Sequence, residues 1–138
     1  MWKANRISSG IEQEVAVKIL KAEVGEKEEF VHRLRDEARL LARLKHHAIV
    51  KMLDFTMIKG QPAVIMELVE GSNLKKIIQQ GPIPPKIMLL IGKEVASALA
   101  EAHKAKDPKT GSLLGLIHRD IKPDNLIVTP AGEVKVLD

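Results

Sequence analysis

The segment from Pro84 to His103 has helical spacing but carries apolar residues around most of its circumference. These positions are Ile87, Met88, Leu90, Ile91, Val95 and Leu99. A helix that is apolar on so many sides is stable only when other elements cover it. The residues after His103 are too few to do so, and we therefore expect this helix to belong to a larger body than the chain provides.

Two pairs of strand-like stretches precede that helix, and a second helical pattern lies between the pairs. The strands are expected at residues 1–7, 14–20, 49–58 and 63–68, and the helix at about residues 26–44. Turns at residues 8–10 and 59–62 contain glycine, which favours hairpins. The helical pattern places Phe30, Leu34, Ala38 and Leu41 on one apolar stripe. Together these patterns predict a small antiparallel sheet with one helix.

The second half of the chain alternates short elements with polar turns. Ser72 is expected to cap a short helix that ends at Gln80, and Pro84 and Pro85 suit the first turn of the longer helix. A polar turn is expected at residues 107–111 and a loop at residues 118–125. Two short strands are expected at residues 126–128 and 134–137.

The composition excludes several kinds of protein. The chain has no cysteine, which rules out disulfides and thiolate metal sites. Its longest apolar run, residues 87–91, is far shorter than the ~20 residues of a membrane helix, so we expect no membrane segment in this chain and a cytoplasmic location. Only three aromatic residues occur, too few for stacking on nucleic acid. The net charge of +4 would suit a phosphate-bearing ligand, but solvated lysines explain it more simply.

The residues best suited to chemistry lie in the loop from His118 to Asn125, whose sequence is HRDIKPDN. Asp120 can act as a base or orient a hydroxyl group, while Asn125 can offer an amide oxygen to a metal ion. Lys122 lies where a cation could stabilise a phosphoryl group during transfer. Asp138 follows a strand-like stretch and can offer a carboxylate to Mg²⁺. The alternative is an ordinary polar turn between two strands.

This loop resembles the catalytic loop of protein kinases, and residues 15–18, VAVK, resemble their third-strand lysine motif. The resemblance covers nearly the whole chain. It implies an α+β, protein-kinase-like fold, with a sheet and one helix in residues 1–69 and the start of a helical lobe in residues 70–138. Related small-molecule kinases usually lack the arginine and lysine that stand here at Arg119 and Lys122. Lys122 also resembles the serine/threonine class rather than the tyrosine class.

The resemblance further implies an ATP site. Lys18 corresponds to the lysine that holds the α- and β-phosphates, and Glu37 corresponds to the helix glutamate that pairs with it. The position of Glu37 between Leu34 and Leu41 also favours an inward carboxylate, which would need a partner. Its rival, Glu29, lies earlier and off the apolar stripe.

Four more residues resemble the surface that holds adenine. Ala16 would form part of the layer above the base, and Met66 resembles the gatekeeper, a role compatible with that of an ordinary core methionine. Glu67 and Leu68 resemble the hinge, whose backbone would hydrogen-bond to adenine. All of these roles are carried over from the family and do not follow from spacing.

The implied reaction is phosphoryl transfer from Mg·ATP to a serine or threonine hydroxyl of a protein substrate. Asp120 would accept or orient the hydroxyl proton, and Lys122 and the metal ions would stabilise charge on the γ-phosphate. Asn125 and Asp138 would hold the metal ions.

The chain departs from the family pattern in three places. It contains no G-x-G-x-x-G sequence, no Phe-Gly follows Asp138, and the stretch between His103 and His118 is several residues longer than usual, as in bacterial members. We therefore expect a truncated domain that has negligible activity by itself. One alternative is a kinase remnant that binds a nucleotide or a partner without catalysis. Another is a small-molecule kinase of similar fold.

Overall fold

The computed structural model describes residues 1–8, 10–20 and 27–137. The chain divides into two compact units: Met1–Arg43 with Lys51–Leu68, and Leu44–Val50 with Val69–Asp138. Antiparallel sheets and helices make up both units, and the expected α+β class is confirmed. No helix in the described ranges is both long and apolar enough to cross a bilayer.

The first unit contains a four-stranded antiparallel sheet in the order β1-β2-β4-β3. Its strands are β1 Trp2–Ser8, β2 Ile11–Ile19, β3 Met52–Ile58 and β4 Gln61–Glu67. Both expected hairpins are confirmed, although Ser9 in the first turn lies outside the described residues.

The second hairpin turn is shorter than the sequence suggested. Lys59 and Gly60 both have positive φ angles, 49° and 76°, and these two residues alone join the strands. Two-residue turns of this kind match the right-handed twist of a hairpin, so the ladder can begin at once. Gln61 and Pro62, expected in the turn, are the first residues of β4.

Alternate residues of β2 face opposite sides of the sheet, as the sequence predicted. Val15 and Val17 are buried in a cluster with Ala63, and Ile19 packs against it. Residues that lie opposite each other in an antiparallel pair point to the same side. The partnerships Ala16 with Met66 and Lys18 with Val64 therefore define the other face of the sheet.

The helix of the first unit, α1, spans Lys27–Leu41. It is shorter than expected at its C-terminal end, and the predicted start at Glu26 lies outside the described residues. The predicted stripe is confirmed, since Ala38 is buried and Phe30, Leu34 and Leu41 are half-buried.

The packing of α1 fixes the side of the sheet on which it lies. The Arg35 guanidinium is 5.9 Å from the centre of the Phe55 ring. Phe55 pairs with Val64, and Val64 pairs with Lys18, so all three share one face. Thus α1 lies on the face of the sheet that carries Lys18.

The second unit contains a three-stranded sheet and two helices. Its strands are β5 Ser72–Asn73, β6 Leu126–Val128 and β7 Val134–Val136, in that order. Its helices are α2 Leu74–Gln80 and α3 Pro85–His103, and a single 3₁₀ turn spans Pro123–Asn125.

The cap of α2 differs from the expectation. Asn73, not Ser72, caps this helix, and its side-chain oxygen accepts a hydrogen bond from the Lys76 N–H at 2.9 Å. Ser72 and Asn73 together form β5, which pairs with Val128 and Ile127 of β6, and the helix begins directly after this strand, one residue later than a Ser72 cap requires.

One side of α3 forms the core of the second unit. Ile91, Val95 and Ala98 are buried in a cluster with residues from α2, β6, β7 and the segment before β3. On the remaining surface Leu89 is 74% exposed and Leu90 is 50% exposed. The expectation that the chain leaves part of this helix uncovered is confirmed.

Candidate active site

Asp120 is the centre of a hydrogen-bonded cluster in the loop before β6. The Lys122 ammonium donates to Asp120 Oδ2 at 2.7 Å, and Asn125 Nδ2 donates to the same oxygen at 2.9 Å. Asn125 Nδ2 also donates to the Asp120 backbone carbonyl at 2.9 Å. The structure thus brings together three of the residues that the loop sequence predicted.

The 3₁₀ turn Pro123–Asn125 explains why residues five apart meet. Pro123 fixes its own φ angle and lacks an N–H, and the turn closes through a 2.9 Å bond from the Asn125 N–H to the Lys122 carbonyl. This reversal directs Asn125 back toward Asp120.

Hydrogen bonds of His118 connect the start of the loop to the residue that follows β7. Its Nε2 is 2.9 Å from the Leu137 carbonyl oxygen, and its Nδ1 accepts from the Asp120 N–H at 3.3 Å. A carbonyl can only accept, so Nε2 carries the proton and the ring is neutral. The Leu137 N–H in turn donates to the Asn125 carbonyl at 2.9 Å. His118 therefore positions the loop.

Arg119 has a φ angle of 64°, a left-handed conformation that non-glycine residues seldom adopt. Such strain is retained only where surrounding contacts fix the backbone, and it concentrates at functional sites. Here the contacts of His118 on one side and of Asp120 on the other hold the backbone of Arg119.

The environment of Asp120 favours its charged form. The hydrogen bond from Lys122 lowers the pKa of the carboxyl group most, burial raises it by a smaller amount, and the Asn125 bond and the positive charge of Lys122 lower it further. Asp120 is therefore an anion at neutral pH. A base with a lowered pKa orients a hydroxyl group well but removes its proton only late in a reaction.

Asn125 is arranged to leave its amide oxygen for a ligand. Its Nδ2 hydrogens are used on Asp120, and no donor reaches Oδ1 from the residues that the structure describes. Amide and carboxylate oxygens are the ligands that Mg²⁺ prefers. The second predicted metal ligand, Asp138, lies outside the described residues.

The first unit brings together the residues predicted to bind ATP on one face of its sheet. Ala16 and Met66 are buried directly opposite each other, and the half-buried Lys18 lies two residues along β2 on the same side. A flat apolar pair beside a cation suits a planar ring that carries a phosphate chain.

The position of Glu37 corrects one expectation. Its side chain is exposed, so the prediction of a carboxylate directed into the apolar layer is wrong. The buried position is its neighbour Ala38, and adjacent helical residues point about 100° apart. In the described parts of the chain Glu37 makes no hydrogen bond or ion pair, and its pairing with Lys18 stays a prediction.

The end of β4 is held by two bonds to one neighbour. The Glu67 N–H donates to the Lys51 carbonyl, and Glu67 Oε1 accepts from the Lys51 N–H, both at 2.9 Å. Leu68 follows immediately and is half-buried. These bonds fix the backbone at the predicted hinge.

One contact of the loop could not be predicted from the sequence. The Lys75 ammonium on α2 lies 3.1 Å from the Asp124 carboxylate, next to Asn125. These residues are far apart in the chain, and only the pairing of β5 with β6 places them together.

The strained loop thus holds a charged carboxylate, a lysine and an amide side chain within hydrogen-bonding distance of one another. The family profile described as "Protein kinase domain" matches residues 4–138. The chain therefore belongs to the protein kinase family.

Curated proteins that the chain resembles include bacterial serine/threonine kinases. The chain is 36% identical over 129 residues to PknL of Mycobacterium tuberculosis, covering 93% of this chain and 30% of PknL. It is 43% identical over 125 residues to the probable kinase CPE1738 of Clostridium perfringens, covering 90% and 17%. With PrkC of Bacillus subtilis the identity is 36% over 129 residues, covering 93% and 18%. The chain thus spans less than a third of each of these three relatives.

Solved kinase structures share the fold. The kinase domain of M. tuberculosis PknI superposes with a TM-score of 0.78 at 26% identity, covering 99% of this chain and 53% of that chain. Rad53 residues 1–466, in complex with AMP-PNP, gives a TM-score of 0.76 at 25% identity and covers 99% and 33%. The expected protein-kinase-like fold is confirmed.

Proposed function

We propose that this chain carries out phosphoryl transfer from Mg·ATP to serine or threonine hydroxyls of proteins, as part of a kinase domain. The observation that carries the proposal is the bonding of Lys122 and Asn125 to one oxygen of Asp120. This arrangement leaves Asp120 Oδ1 to accept from a substrate hydroxyl. The names of the bacterial relatives support serine and threonine as acceptors. Because the reaction consumes ATP, we assign it to the cytoplasm.

Asp120 would orient the acceptor hydroxyl by accepting its hydrogen. Its lowered pKa keeps the carboxylate charged and therefore always able to accept. Phosphoryl transfer has a loose transition state, in which the proton leaves late, so a weak base in the correct position is sufficient.

Lys122 and Asn125 would act on the phosphate side of the reaction. Lys122 donates to Asp120 Oδ2, and its ammonium charge would also stabilise negative charge on the γ-phosphate. The amide oxygen of Asn125, with the carboxylate of Asp138, would hold Mg²⁺. The metal ion, when bound, neutralises charge on the β- and γ-phosphates.

The residues of the first unit would hold the nucleotide. The buried pair of Ala16 and Met66 suits the apolar face of adenine, and the backbone at Glu67 and Leu68 would bind the edge of the base. Lys18 would contact the α- and β-phosphates. Glu37 would pair with Lys18 only after a change of rotamer or helix position, because its carboxylate is exposed.

Residues 1–138 alone are expected to transfer phosphate at a negligible rate. The chain corresponds to about half of the PknI kinase domain (53%). A displacement of about 1 Å in a reacting group can lower a rate by a hundredfold, and the relatives carry the additional half.

Nucleotide binding tests the proposal on the chain itself. In an NMR titration with Mg·AMP-PNP, amide shifts should appear along β2 and at the end of β4. The change Lys18→Met should weaken binding about tenfold or more, since it removes a charge-assisted bond worth about 1.5–3 kcal/mol. The matched control Lys59→Met, in the distant hairpin turn, should bind like the unmodified chain. Equal binding by the Lys18 variant, or shifts confined to other strands, would exclude the proposed nucleotide site.

A further inference from the structure

Two adjacent histidines bind the segment Leu44–Val50 to α3. His46 Nε2 lies 3.0 Å from Ser97 Oγ, and His47 Nε2 lies 2.5 Å from Glu94 Oε2. The two imidazole rings are stacked, with centroids 4.4 Å apart and planes inclined by 25°. We call these four side chains the histidine clasp. None of them belongs to the site around Asp120.

The bonds of His46 require its neutral form. The Ala48 N–H donates to His46 Nδ1 at 3.0 Å, so this nitrogen must carry a lone pair. The ring proton therefore resides on Nε2, which donates to Ser97 Oγ. A second proton on Nδ1 would point at the Ala48 N–H, and that bond could not form.

The bond between His47 and Glu94, in contrast, is strongest when the His47 ring is protonated. A charged imidazolium facing a carboxylate makes a charge-assisted hydrogen bond. The bond to His47 lowers the pKa of Glu94 most, burial raises it by a smaller amount, and the positive charges of His47 and Lys93 lower it further. The contribution of Glu94 is therefore complete above its ordinary value of 4.5 and is lost only as the pH falls below it. Glu94 therefore stays charged at neutral and mildly acidic pH.

The segment also pairs with β7, which connects it to the catalytic loop. The Val136 N–H donates to the Ala48 carbonyl at 2.7 Å, and the Val50 N–H donates to the Val136 carbonyl at 3.1 Å. The next residue, Leu137, accepts the bond from His118. Two further lysines lie close to these residues in the sequence, Lys45 directly before His46 and Lys135 directly before Val136.

We propose that the histidine clasp is a pH-dependent contact between the segment Leu44–Val50 and α3. Its hydrogen bonds form near neutral pH and break in mild acid, when His46 gains a proton. Protonation removes the acceptor for the Ala48 N–H. It also places a second positive charge against the stacked ring of His47, and like charges at this distance repel. Histidine is the side chain whose charge ordinarily changes within the pH range that cells experience. The proposal does not depend on the phosphoryl-transfer function.

Hydrogen exchange of the Ala48 amide tests the proposal on residues 1–138. Relative to amides of the β6–β7 ladder, the protection of Ala48 should fall about tenfold between about pH 7.5 and pH 5.5, after correction for intrinsic rates. A ratio that stays constant over this range would overturn the proposal.

Two variants separate the clasp from general acid instability. In His46→Ala the Ala48 amide should be poorly protected at both pH values. In His103→Gln, which changes an exposed histidine at the end of α3, the pH dependence should persist. Unchanged pH dependence in His46→Ala would overturn the proposal.

A measurement on the unmodified chain covers the case in which a variant does not fold. Long-range ¹H–¹⁵N spectra near pH 7.5 should show His46 with the proton on Nε2. A proton on Nδ1 would contradict the bond from Ala48 and overturn the proposal.

Discussion

Asn125 donates two hydrogen bonds to Asp120, one to its backbone carbonyl and one to Oδ2, each at 2.9 Å. The first bond fixes the shape of the loop, and the second fixes the rotamer of the carboxylate. A single asparagine thus shapes the loop, orients the proposed base and leaves an oxygen for a metal ion.

The charge state of Asp120 should depend on Lys122. Because the Lys122 bond is the main cause of the lowered pKa, Lys122→Met should raise the Asp120 pKa toward its ordinary value of 3.8. A lowered carboxyl pKa stabilises the fold above the ordinary value and is lost as the pH falls through the folded-state value. The variant should therefore lose less stability in acid than the unmodified chain.

Carboxyl ¹³C NMR titration of Asp120 checks this prediction. Lys109→Met, in the exposed turn before the loop, is the matched control and should leave the titration unchanged. An identical Asp120 midpoint in Lys122→Met would show that the bond does not control the charge.

Two glycines should respond in opposite ways to alanine. A Cβ at Gly71 would lie 2.4 Å from the Val128 carbonyl oxygen and 2.7 Å from Ile127 Cγ2, so Gly71→Ala should destabilise the chain by about 1–3 kcal/mol. At Gly92, inside α3, a Cβ meets nothing within 4 Å. Gly92→Ala should stabilise by about 0.5–1 kcal/mol, because alanine loses less backbone entropy. Urea denaturation of both variants measures the difference, and destabilisation by Gly92→Ala would contradict it.

The N-cap of α2 offers a test between neighbouring residues. Asn73→Ala should cost about 0.5–2 kcal/mol, since the Lys76 N–H loses its acceptor. Asn73→Asp should retain most of the stability because its oxygen can accept the same bond. Ser72→Ala should have a small effect. Urea denaturation measures the stability of these variants. A larger loss of stability in Ser72→Ala than in Asn73→Ala would show that Ser72 is the cap, as the sequence predicted.

Substitutions on the buried side and on the exposed side of α3 should have different effects on stability. Ile91 is 7% exposed, and Ile91→Ala should cost about 2–5 kcal/mol through lost packing. Leu89 is 74% exposed, and Leu89→Lys should change stability by less than about 0.5 kcal/mol while it reduces self-association. Denaturation and light scattering measure the two effects. A large loss of stability in Leu89→Lys would show that this side is covered.

Local patterns in the sequence were sufficient for most of the fold. The alternation of Val15 and Val17 with Ala16 and Lys18 predicted the two faces of β2, since the strand period leaves no other arrangement. The cluster around Asp120 could be predicted from the sequence of the loop His118–Asn125, because all members of the cluster are close together in the chain.

What the sequence could not predict depends on contacts between distant segments. Asn73 replaced Ser72 as a cap because β5 pairs with β6, and nothing near residue 72 reveals that pairing. Glu37 lies next to the buried stripe of α1, and a shift of one residue along a helix is enough to turn a side chain from the buried side to the exposed side. The bond between His47 and Glu94 likewise arises only when the segment before β3 meets α3.

The most direct test of the account is phosphoryl transfer by the protein expressed from its complete natural reading frame. With Mg²⁺ and γ-labelled ATP, the account predicts labelling of serine or threonine peptides, reduced at least about a hundredfold by Asp120→Asn. Asp107→Asn, which keeps the acceptor oxygen of the turn at residues 107–111, should retain the activity. No labelling by the unmodified protein, or equal labelling by Asp120→Asn, would contradict the central claim.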